Sequence, residues 1–201
     1  MKWPGSLPAS LNCDGRYGAA LLACLALLAA LACGGPPLTE LLRYERTAIA
    51  QGEWWRLMSG HWVHLGARHL LADAAGLVLL WILYARELRP GSWLLVLAGA
   101  MAAIDAGLWW AEGSIQWYVG ISGLLHGAWA AGAAAVALKG GTDGKAGWIM
   151  LVALAAKLAI EHYEGASLFT AGFSVVSAAH VYGAAGALAT LGALAPFRKP
   201  L

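Results

Sequence analysis

Two side chains in this sequence are suited to covalent chemistry: the hydroxyl of Ser122, set in Gly120-Ile121-Ser122-Gly123, and the imidazole of His180. A histidine held against a serine can take its proton as the oxygen attacks a carbonyl, then return that proton to the leaving amine. Both lie in apolar stretches, where ionisable and polar groups are costly and are usually functional or paired. The same test singles out His64, His69, Asp73, Asp105, His126, Lys157, Glu161 and His162. Residues four apart share a helix face, which couples His69 with Asp73, Ser122 with His126 and Lys157 with Glu161. The last couple reads most simply as an ion pair that supports the fold. Each couple alone also fits ordinary polar packing between helices, and it is their convergence on one layer that argues for chemistry.

An acyl intermediate needs donors for its oxyanion. The N–H groups that open the helix beginning near Ser122 lie at the positive end of its dipole, and His69 can supply another donor. His64, His69 and Asp73 are also metal-ligand types. Helical zinc proteases, however, carry an HExxH motif that is absent here, so the site is read with no metal and no other cofactor.

These residues need elements to position them. The chain is 60% hydrophobic and 12% charged, more apolar than a soluble core requires. A spanning helix takes roughly 20 apolar residues, and six stretches approach this, at about 17–33, 70–84, 93–111, 117–138, 146–162 and 173–195. The fold class expected is an all-α membrane protein, a six-helix bundle forming a single domain over 1–201. The first stretch has no convincing cleavage site after it and is kept as a helix.

An even number of spans puts both termini on one side. Lys2, Arg16, Arg86, Arg89, Lys139, Lys145, Arg198 and Lys199 mark that side as cytoplasmic. The exception is the first loop, about 34–68, which carries Arg43, Arg46, Arg56 and Arg68 and is read as interfacial, with Trp54, Trp55 and Trp62 at headgroup level. In this topology the second, fourth and sixth spans start on the outer side. Their polar residues then meet in one layer, on the order of 10 Å below the outer surface at 1.5 Å per residue. Gly123 and Gly127 in the fourth span, and Ala179, Gly183 and Ala187 in the sixth, let those helices approach closely. The formal net charge of +2, with basic residues flanking spans and forming no stripe, excludes a nucleic-acid partner. Cys13, Cys24 and Cys33 read as small packing residues.

The ordered set resembles the rhomboid family of intramembrane serine proteases. Gly120-Ile121-Ser122-Gly123 is similar to its GxSG nucleophile motif, and Ala179-His180-Val181-Tyr182-Gly183 to its catalytic-histidine motif. Trp55-Arg56 resembles its WR pair, and the run from His64 through His69 to Asp73 resembles HxxxxHxxxN. The short form, together with His126 and the segment from Lys157 to Gly165, is most similar to the rhombosortase branch. That resemblance implies a Ser122–His180 dyad supported by His69, Asp73, Gly120, Gly123, His126 and His64. It also implies a bacterial inner-membrane location, with the active site toward the periplasm. The implied substrates are single-span proteins bearing a small-residue C-terminal sorting motif, with water or an amine resolving the acyl-enzyme.

Two departures bear on mechanism. Asp73 stands where the family has an asparagine, so it either donates while protonated or orients His69. His126 replaces the aromatic residue usually stacked on the catalytic histidine, and either stacks likewise or hydrogen-bonds to His180. Two other functions are consistent with buried polar residues. An inactive rhomboid-like client-binding protein would normally lack the serine or the histidine. A small transporter would carry polar groups through the full membrane depth, whereas here they cluster in the outer half.

Overall fold

Apolar runs punctuated by glycine, proline and short polar turns form helices in a computed structural model that describes residues 11–164 and 176–195. In chain order these are α1 (Gly15–Cys33), α2 (Gly35–Leu42), β1 (Tyr44–Glu45), α3 (Arg46–Ala50), α4 (Arg56–Ser59), α5 (Ala67–Tyr84), α6 (Pro90–Trp110), β2 (Trp117–Tyr118), α7 (Ser122–Ala137), α8 (Gly141–Glu164) and α9 (Ser177–Leu194). Pro90 opens α6 at a position where a missing N–H costs nothing. Gly140 and Gly141, both at positive φ, make the turn into α8.

The chain is mainly helical. Among the described residues three helices, α1, α5 and α6, are long and apolar enough to cross a membrane by length and composition. Six described helices of 16 residues or more fall where the six apolar stretches were expected. Two differences matter. The fourth stretch was expected from residue 117, but Trp117 and Tyr118 pair antiparallel with Glu45 and Tyr44, and the helix starts only at Ser122. Gly120, at φ +114°, turns the chain between strand and helix in a region where a β-carbon is strained. The sixth stretch was expected from residue 173, and its first three residues lie outside the described ones.

At the centre stands α7, with eleven of its sixteen residues buried around the whole circumference, as a helix enclosed by others must be. It is built from Gly and Ala, and its neighbours come to backbone distance. A β-carbon on Gly183 would overlap the Gly123 carbonyl, and one on Gly127 would meet the Gly183 carbonyl oxygen at 2.9 Å and the Ala100 β-carbon at 3.0 Å. In lipid, close approach of this kind holds helices together, because apolar burial gives no preference for a helix over an acyl chain. The outward faces stay apolar, with Leu22, Leu71, Leu94, Ile149 and Val152 all exposed.

The helix ends sort into two groups. Asp14 pairs with Arg86 at 2.5 Å, Asn12 donates to the Ile82 carbonyl at 2.8 Å, and Lys139 pairs with Glu87 at 2.6 Å. The start of α1 and the ends of α5 and α7 therefore share one end of the bundle. The opposite end is closed by the first loop, where Arg46 and Arg56 have structural employment. Arg56 is buried and donates to the carbonyls of Glu40 (2.8 Å) and Arg43 (3.0 Å) and to Glu53 (2.6 Å). Arg46 reaches the end of α6, donating to the carbonyls of Leu108 and Trp109 (3.0 Å) and, just past the helix, of Glu112 (3.1 Å), where a cation also meets the negative end of the dipole. Arginines so engaged anchor the loop to the helices and say little about which side of a membrane it occupies.

Candidate active site

Ser122 is the first residue of α7, and His180 lies in the first turn of α9. The glycine contacts between those helices bring the two together, with Ser122 Oγ 2.9 Å from His180 Nε2. Across the ring, His180 Nδ1 donates to Glu161 Oε2 at 2.8 Å. A carboxylate there can only accept, so the proton sits on Nδ1 and Nε2 presents its lone pair to the serine hydroxyl. This is the tautomer a general base needs.

The network continues into a closed circuit. Glu161 Oε1 accepts from Lys157 Nζ at 2.5 Å, and the same ammonium donates to His126 Nε2 at 2.9 Å. His126 Nδ1 then donates to the Ser122 carbonyl at 2.8 Å, returning to the residue where the circuit began. Lysine has only donors and a carbonyl only accepts, which fixes the tautomer of His126 as well. Its ring lies on that of His180, with centroids 3.9 Å apart and planes 12° from parallel. Of the two options for His126, the geometry is the stack; its nitrogens go to Lys157 and Ser122. His126, Glu161 and His180 are all buried.

Glu161 is the residue that sequence reasoning underrated. Its i, i+4 relation to Lys157 pointed to a supporting ion pair, and that pair exists. What spacing could not show is the second oxygen turned toward His180, nineteen positions away on another helix.

A second polar group lies beside the first. His64, His69 and Asp73 are all buried, with His64 Nε2 donating to Asp73 Oδ2 at 3.1 Å and His69 Nε2 at 3.4 Å from the same oxygen. Of the two roles open to Asp73, this arrangement fits orientation of the imidazoles. His64 lies ahead of α5, before the bend at Leu65–Gly66, and its ring meets Asp73 in the helix's second turn. The group abuts the entry to α7: a β-carbon on Gly120 would lie 2.8 Å from His69 Nε2 and 3.4 Å from Asp73 Oδ2. Glycine at 120 thus leaves space between the imidazole and the backbone that leads to Ser122.

That backbone is pinned on both sides. Gly120 N–H donates to the Gly60 carbonyl at 3.1 Å, and the Tyr118 hydroxyl donates to the Gly120 carbonyl at 2.8 Å. Burial pushes the Tyr118 phenol above its ordinary range, so it remains a neutral donor. His61, not singled out from the sequence, donates to Asp105 Oδ1 at 3.2 Å and meets the Tyr118 ring edge-on. Asp105 therefore belongs to the support of this loop and not to the Ser122 circuit. His162 is exposed, with its ring edge-on to that of Tyr163.

Comparison with known proteins adds one likeness. Over 79 residues the chain is 34% identical to "Putative rhomboid protease YdcA" of Bacillus subtilis, a match that takes in 39% of this chain and 40% of that one. The chain thus spans about two fifths of the length of the curated relative it matches. No family model and no solved structure matches the chain. The likeness and the apolar helices together support a multi-pass membrane protein akin to the rhomboid proteases.

Proposed function

We propose that this chain is an intramembrane serine endopeptidase of the rhombosortase type. The observation that carries the reading is the alignment of Ser122 Oγ, His180 and Glu161 through contacts of 2.9 and 2.8 Å at the head of a buried helix. Six helices cross the bacterial inner membrane, with both termini cytoplasmic and the site toward the periplasm. The sharing of one bundle end by the start of α1 and the ends of α5 and α7 supports this orientation, because the basic Arg86 and Lys139 lie there. Sixteen residues make α7 about 24 Å long, shorter than a hydrocarbon core of about 30 Å, which suits a nucleophile recessed below the outer surface.

In this mechanism a single-span substrate unwinds at small residues near its C-terminal sorting segment, where Gly and Ala weaken the helix and leave room for attack. His180 takes the Ser122 proton as Oγ adds to the carbonyl. The N–H of Ser122, at the positive end of α7, and His69 hold the oxyanion. His180 then protonates the leaving amine, and water or an amine acceptor releases the acyl group. Glu161 holds the His180 tautomer throughout and balances the imidazolium that forms.

The test is cleavage of a single-span reporter with a Gly/Ala-rich C-terminal segment, co-reconstituted with the full chain in liposomes. Product is expected with wild type and absent with Ser122→Ala. Mass spectrometry of the new terminus separates hydrolysis from transfer. Stable binding of the reporter without cleavage would point to a client-binding protein.

A further inference from the structure

We infer that His64, His69 and Asp73 form a binding site for a single zinc-class divalent ion beside the nucleophile. Zinc bound tetrahedrally by nitrogen and oxygen at about 2.0–2.2 Å sets its ligand atoms roughly 3.3–3.5 Å apart. Here the His64 and His69 nitrogens lie 3.1 and 3.4 Å from the Asp73 oxygen, and the three ligand atoms all fall within 4.8 Å of one another. All three residues are buried, which shields the ligand atoms from competing water.

The sequence offered this set without an HExxH motif, and in the structure only His69 and Asp73 share the helix. His64 joins them from the segment just ahead of α5. A cavity of about 320 Å³ between α2 and the start of α5 reaches one member of the set, lined by His64 with Gly66, Thr39, Glu40 and Arg43. The Thr39 hydroxyl lies between the carbonyls of His64 and Gly35, 3.3 Å from each.

A second trio, His126, Glu161 and His180, has comparable spacing. There Lys157 already supplies the cation, 2.5 Å from Glu161 and 2.9 Å from His126, and an ion would have to displace it. At Asp73 the carboxylate meets two imidazoles instead of an ammonium. Zinc takes the lone pair of each nitrogen that now faces Asp73, so each neutral imidazole carries its proton on the other ring nitrogen in the bound state.

The consequence rests on the proposed protease function: an ion holding His69 and Asp73 against Gly120 removes a donor from the oxyanion site, so zinc acts as a reversible inhibitor. Binding itself is measured without activity. The full chain in detergent, stripped with chelator, is titrated with zinc against a chromophoric chelator, and X-ray absorption at the zinc edge reads the ligands. One zinc per chain is expected, with two imidazoles and oxygen in the shell. Affinity should fall at least about 30-fold in Asp73→Asn, with His64→Ala as the second variant, and be kept in His180→Ala. Absence of binding to wild type, sulfur in the shell, or loss in His180→Ala with retention in Asp73→Asn overturns the proposal. Zinc bound as expected to a chain that cleaves nothing would leave the site standing and remove the inhibitory role.

Discussion

Glu161 accepts a hydrogen bond from His180 Nδ1 at 2.8 Å, which lines a buried carboxylate up behind the Ser122–His180 pair. Glu161→Gln keeps the shape but offers an N–H, and His180 can then adopt the tautomer that cannot take the serine proton. We expect kcat to fall on the order of 10³- to 10⁴-fold, with KM changed little, as for loss of the buried acid in a serine triad. Steady-state kinetics on the liposome reporter checks this. A kcat within threefold of wild type would mean that the dyad suffices.

Lys157 compensates Glu161 and orders His126, with its side chain 26% exposed against 1% for Glu161. Lys157→Met leaves a buried carboxylate without its ammonium. A fully buried pair broken in this way costs about 3–5 kcal/mol, and partial solvation of the lysine brings the expected loss to about 2 kcal/mol. Lys157→Arg should recover part of it. Combined with Glu161→Gln, the Lys157→Met loss should be much smaller, because the charge left unpaired is gone. Denaturation of the four variants in detergent reads the coupling.

The approach of α9 to α7 is set by Gly183, where a β-carbon would overlap the carbonyl of Gly123, the neighbour of the nucleophile. Gly183→Ala is expected to destabilise by about 1–3 kcal/mol, as overpacking does, and to slow serine labelling as Ser122 shifts. Gly192, on the same helix, has nothing within 4 Å of an added β-carbon. Gly192→Ala should leave both stability and labelling near wild type. Thermal melts and labelling rates of the two variants make the comparison.

Tyr118 gives a stability effect with a definite sign. Its phenol stays protonated in the fold beyond the ordinary value, whereas an unfolded tyrosine ionises near pH 10. The native state therefore binds more protons above that pH, and stability falls as pH rises further. Tyr118→Phe abolishes that part of the loss and forfeits the bond to the Gly120 carbonyl, about 1 kcal/mol at every pH. Chemical denaturation from pH 8 to 11 should show the wild-type curve descending more steeply than the variant.

Much of this arrangement was legible before any coordinates. Apolar runs of spanning length gave the helices, and the expense of polar groups within them drew attention to Ser122, His180, His69, Asp73 and His126. Small residues at four-residue spacing marked the α7–α9 contact. Other features carry no local signal. The pairing of Tyr44–Glu45 with Trp117–Tyr118 joins segments some seventy residues apart, so the start of α7 was read five residues early. Glu161 looked satisfied by Lys157, because spacing along one helix cannot show where the other carboxylate oxygen goes. His61 meets Asp105 from a loop with no periodicity to betray it.

The central claim is that Ser122 is activated by His180, and fluorophosphonate labelling of the full chain in detergent tests it most directly. The account predicts labelling of wild type at Ser122, identified by peptide mass, and its loss in both Ser122→Ala and His180→Ala variants that melt like wild type. A folded wild type that takes up no probe, or labelling that persists in His180→Ala at the wild-type rate, would contradict it.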